Sequence, residues 1–182
     1  MKKLLTILLI FGFGSLVYSQ IAFNYKSADL KVLDIYKTKP IVKTSAVNAK
    51  YYSAIIPFTE SKKVKYLEQK VANFNITEHE SFKEKKDVYE IVFTDPNSNG
   101  RIKTFFNRDG KLIKSYESFK NVRLPTAIWK IVYDKYPKSV VKKTVYQVHY
   151  SDIKGSKKLY KVTIIHNNEK KLVKLDENGN FI

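Results

Sequence analysis

The sequence predicts an α+β fold. It reads as two tandem helix-plus-antiparallel-sheet units forming one curved sheet, with helices packed on one face. Three observations carry this reading. Two segments repeat one order of landmarks about 70 residues apart, the mark of an internal repeat. Each segment opens on an amphipathic helical pattern. Each then runs into alternating strand patterns broken by turn residues. The landmarks are Ile56-Pro57, Tyr89 to Phe93 and Asp109-Gly110 in the first segment. Leu124-Pro125, Tyr160 to Ile164 and Asn178-Gly179 answer them in the second.

The elements follow in chain order. Residues 1–19 carry Lys2 and Lys3, an apolar run from Leu4 to Val17, and Val17-Tyr18-Ser19. This is the layout of a secretory signal, with cleavage expected before Gln20 and export to the periplasm or beyond. The run is shorter than the ~20 apolar residues that span a bilayer comfortably. No cysteine follows it, which argues against a lipoprotein. Residues 20–55 form an N-terminal extension. Leu30 to Tyr36 and Ile41 to Val47 look strand-like there and predict an edge hairpin.

The first unit spans 56–120. Val64, Leu67, Val71 and Phe74 fall on one helical face, with Thr59 as its expected N-cap. Strands are expected near Tyr89–Phe93, Ile102–Phe106 and Leu112–Phe119, separated by Asp95–Gly100 and Asn107–Gly110 turns. The second unit spans 121–182. Pro125 suits a first helical position, and Pro137 stops the helix. Leu124, Ile128, Ile131 and Val132 make its apolar stripe. Val140–Tyr150, Leu159–His166 and Leu172–Leu175 read as strands, with Asn167-Asn168 and Asp176–Gly179 as turns.

In the second unit, Leu124-Pro125, Trp129, Tyr136-Pro137, Tyr160-Lys161-Val162 and Asp176-Glu177-Asn178-Gly179 stand in a set order. This order resembles the PepSY-like family of small exported bacterial proteins, also described as β-lactamase-inhibitor-like. The signal ending in Tyr18-Ser19-Gln20 is similar to those of secreted Bacteroidetes proteins. The likeness covers residues 56–182 and is strongest from 120 onward. It implies tandem helix-plus-sheet units and a non-enzymatic binding or inhibitory role, and it supplies no catalytic residues. The first unit departs from the pattern, because its helix lacks a central Trp.

Composition narrows the chemistry. Among 182 residues there is no cysteine, so disulfide frameworks, zinc ribbons and thiol nucleophiles are excluded. The histidines are His79, His149 and His166, too few for a zinc site that wants three or four ligands. Asp95 opens a D-x-N-x-N-G run, but the position for the closing Glu of a calcium loop is Phe106. Asp176–Gly179 is a hairpin turn on the same reasoning. No nucleophile elbow, phosphate loop or dinucleotide fingerprint occurs. The sequence thus predicts no enzyme, no cofactor and no metal.

Thirty-four Lys and Arg face 17 Asp and Glu, a formal charge of +17. The lysines come in adjacent pairs, such as Lys142-Lys143 and Lys170-Lys171. On strands such pairs point to opposite faces and spread the charge. Thirteen Tyr and eleven Phe populate the strand patterns. Tyr146, Tyr150 and Tyr160 are expected to line the uncovered sheet face and form the binding surface. The function expected is an exported protein-binding module that inhibits or modulates an envelope enzyme. The alternative is a binder of anionic envelope polysaccharide or lipid through dispersed lysines. No nucleic-acid partner is expected, because no reading motif is present.

Overall fold

Among the described residues, seven strands lie side by side in chain order, β1 to β7. The computed structural model describes residues 32–33 and 46–182. Residues 1–19, and nearly all of the expected edge hairpin, lie outside the described residues. Of that hairpin, β1 (Val32–Leu33) pairs parallel with β2 (Val88–Asp95). The rest of the sheet is antiparallel: β2, β3 (Gly100–Asn107), β4 (Leu112–Lys120), β5 (Val140–Ser151), β6 (Gly155–His166) and β7 (Glu169–Asp176). The fold is α+β.

Helices cover one face of this sheet. They are α1 (Ala49–Ile55), α2 (Lys62–Asn73) and α3 (Thr126–Lys135). Tyr51 and Ile55 of α1, Val64, Leu67 and Val71 of α2, and Ile128 and Val132 of α3 are buried. They meet Tyr89, Ile91, Phe93, Ile102, Phe106 and Phe119 on one side of the core, and Val148, Val162, Ile164 and Leu175 on the other. Each such aliphatic or aromatic side chain contributes about 1.5–3 kcal/mol on leaving water, so this covered face holds the molecule together.

Local chemistry explains the element ends. Asn167 and Asn168 both have positive φ, 50° and 63°, which a two-residue hairpin turn demands and Asn tolerates. Asp176 closes its turn by accepting from the Asn178 and Asn180 backbone N–H groups at 2.9 and 2.8 Å. Asp95 accepts from Asn97 N–H at 3.1 Å, so the D-x-N-x-N-G run is a turn.

Three local expectations are corrected. Ser61, not Thr59, precedes the first turn of α2. Thr59 is buried, and its hydroxyl serves Glu68 and the Ile55 carbonyl. Pro125 is the N-cap of α3 and Thr126 its first residue. Helix α1 lies inside the segment read as an extension with strands. Its Tyr51 and Ile55 join the core.

Candidate functional site

The pairing register fixes what each face of the sheet carries. Positions alternate, so the residues between the core residues form a second face. No described element packs on this open face. Its middle holds a row of rings. Phe105 of β3 meets Tyr116 of β4 edge-on with centroids 5.9 Å apart. Tyr116 meets His149 of β5 the same way at 5.1 Å, and these two residues are register partners. Tyr116 is 46% exposed, a large polar-tipped ring left in solvent on a rigid strand. Lys103 stands directly across from Tyr116, pairs with Glu90 at 2.8 Å and lies 6.0 Å from the Phe105 ring centroid. Arg101, Lys114 and Lys157 complete a basic surround at neighbouring positions. Beside the row, Gln147, His149, Lys157 and Leu159, with Asp176 and Glu177 on the β7 side, line a depression of about 380 Å³.

Farther toward β7 the same face carries Lys120, Lys143, Lys161, Lys170 and Lys174. Among the described strand residues, Glu90 and Asp176 are the acids at open-face positions, and Glu177 of the following turn adjoins them at the depression. The expected even spread of charge is therefore corrected. Some lysine pairs straddle the two faces, but the solvent-facing alternate collects nine basic residues.

The three tyrosines assigned to the open face are not there. Tyr146, Tyr150 and Tyr160 are 5%, 4% and 8% exposed and belong to the covered core. Tyr146 stacks on Tyr160 at 5.1 Å, and Tyr150 packs edge-on against Tyr51 of α1 at 5.3 Å. The physical reason is parity. In β5, Tyr146, Val148 and Tyr150 form the more apolar alternate, and the helices cover that one. Burial raises the Tyr150 and Tyr160 hydroxyls to about 12 and pushes Tyr146 further up.

The covered side holds a polar cluster that sequence reasoning missed. Glu68 of α2 and Glu117 of β4 are 0% and 2% exposed. Tyr51 and Ser115 hydroxyls each donate to Glu117 Oε1 at 2.9 Å, and the Thr59 hydroxyl lies 3.2 Å from Glu68 Oε1. The second oxygen of each carboxyl and the Tyr146 hydroxyl have no hydrogen-bond partner. Desolvation raises Glu68 to about 7, and desolvation with the nearby Glu68 charge raises Glu117 well above the carboxylate range. The signal was present: Glu117 shares the strand alternate of Phe119, and Glu68 adjoins Leu67 on the buried helix stripe.

Between α1 and α3 a groove of about 630 Å³ exposes part of β6, with Ser156, Lys158 and Tyr160 as floor and Glu60 and Glu177 on its rim. Burial lowers the Lys158 ammonium, opposed by Glu177, Glu68 and Glu117. The histidines are not gathered. His149 stands on the open face, His166 packs against Tyr136, and His79 packs against Phe74. Among the described residues, no three His, Asp or Glu come together as a metal would require. Likewise no helix there is long and apolar enough to cross a membrane. Comparison of the chain with family models, curated proteins and solved structures returns no match.

Proposed function

We propose that this chain is an exported, non-enzymatic binding module that holds an acidic protein partner on its open sheet face. The observation that carries the reading is the Phe105–Tyr116–His149 row, with Phe105 half-buried and Tyr116 and His149 exposed inside a basic surround. Rings on strands offer contact area with few rotors to freeze, and flanking Arg and Lys suit a carboxylate-rich rim. The adjacent depression has room for a partner side chain. The proposal keeps the tandem build: α2 with β2–β4 as one unit, α3 with β5–β7 as the other. It also keeps the likeness to PepSY-like exported proteins and a role as inhibitor or modulator of an envelope enzyme.

The test is affinity capture from native cell envelope with the tagged mature chain, at low and high salt. A discrete protein retained at high salt is expected. The double variant Tyr116→Ala/His149→Ala should lose it while unfolding at an unchanged temperature. Equal retention by the variant would remove this face from the account.

A further inference from the structure

We infer that the outer half of the open face, from β4 to β7, is a docking surface for an anionic lipid bilayer. It uses residues other than the aromatic row and stands independently of the protein-binding proposal. Lys120, Lys143, Lys161, Lys170 and Lys174 carry it. The register sets Lys161 directly opposite Lys174 on neighbouring strands, with Val145 between Lys120 and Lys161. Like charges facing each other on an antiparallel pair oppose folding. No carboxylate stands among these positions, and none of the five lysines makes an ion pair among the described residues. Asp176, at the margin, is held in its own turn by Asn178 and Asn180. The fold thus tolerates a cluster of uncompensated charge that an anionic partner would relieve.

The shape of the cluster selects the partner. It extends over four strands, spaced about 4.8 Å, and over three rows about 7 Å apart along them. A linear polyanion is tracked by a stripe of charge, whereas a leaflet presents its phosphates over an area. The side chains between the lysines point the same way. Val140 and Leu172 are 53% and 59% exposed, and Ile165 lies beside them. Aliphatic groups of this kind enter the headgroup boundary while lysine stems lie along it and their ammoniums reach the phosphates. A sugar chain would favour aromatic faces, and on this face the rings stand farther along β4 and β5, away from the lysine rows.

The probe is a vesicle of two parts phosphatidylcholine to one part phosphatidylglycerol, sedimented with the mature chain from Gln20. Binding is expected, falling steeply with salt and absent from pure phosphatidylcholine vesicles. Lys161→Glu/Lys174→Glu should weaken it at least tenfold, and Lys161→Gln/Lys174→Gln serves if the first variant fails to fold. Leu172→Ser should weaken it severalfold. Tyr116→Ala should leave it unchanged, so loss of the partner protein and loss of lipid binding are separable. No binding to the anionic vesicles would overturn the inference. So would binding that a soluble acidic polysaccharide abolishes while Leu172→Ser has no effect, which would assign the lysines to a polymer.

Discussion

Glu68 and Glu117 are carboxyls in a dry interior; burial raises both, and the nearby Glu68 charge raises Glu117 further. The pair titrates as a unit. The groups facing it are Tyr51 from α1, Lys65 from α2, Tyr146 from β5, and Lys158 and Tyr160 from β6. Hydroxyl groups of Thr59, Tyr51 and Ser115, with Lys158 and Lys65, favour the ionised form, and burial outweighs them. Both carboxyls have a folded pKa above the unfolded one. The folded chain therefore keeps protons that the unfolded chain has released. This contribution to stability is full below the ordinary value of 4.5 and is lost as pH rises through about 7. Urea unfolding at pH 5 and pH 8 should show the loss. Glu117→Gln should flatten it, leaving the variant more stable than the parent at pH 8 by on the order of 1 kcal/mol. An identical pH slope in both proteins would show that the pair is ionised or solvated.

At the scale of elements, two contacts are exposed to test. Gly179 has φ of 86°, and a Cβ there would stand 2.3 Å from Ile131 Cδ1 of α3. The final turn and the last helix are therefore fitted to each other. Gly179→Ala should cost about 1–3 kcal/mol, the usual range for a residue forced into a sparsely populated conformation. Thermal unfolding reads this directly. Lys174→Glu should act oppositely, converting the Lys161–Lys174 repulsion into a pair worth about 0.2–1 kcal/mol at low salt.

Elements also show what the sequence made legible. Strands β2 to β7 and the amphipathic helices α2 and α3 follow from alternation and stripe, because propensity and burial agree there. Helix α1 did not, since Ala49–Ile55 is short and adjoins strand-like residues. The faces were harder than the strands. In β5, ring and aliphatic residues occur on both alternates, and only the position of α1 and α2 decides that Tyr146 and Tyr150 go inward. With the β5 tyrosines assigned to the open face, Tyr116 of β4, the register partner of His149, was missed. The buried Glu pair was hidden for another reason. A carboxyl normally marks a solvated position, and that expectation outweighs the alternation that sets Glu117 on the same face as Phe119, two residues on.

The whole molecule divides its chemistry between two faces. One face holds the core, the helices and the buried Glu68–Glu117 pair. The other holds the rings and most of the strand-borne positive charge. The central claim is that the second face does the binding, and lysine reactivity can read both at once. Acetylation with a small reagent, followed by mass spectrometry, should be run on the free chain and on the chain bound to its captured partner. Lys103, Lys114 and Lys157 should lose reactivity on binding, while Lys62, Lys63 and Lys130 on the helices keep theirs. Protection of the helix lysines with the open-face lysines unchanged would contradict the account.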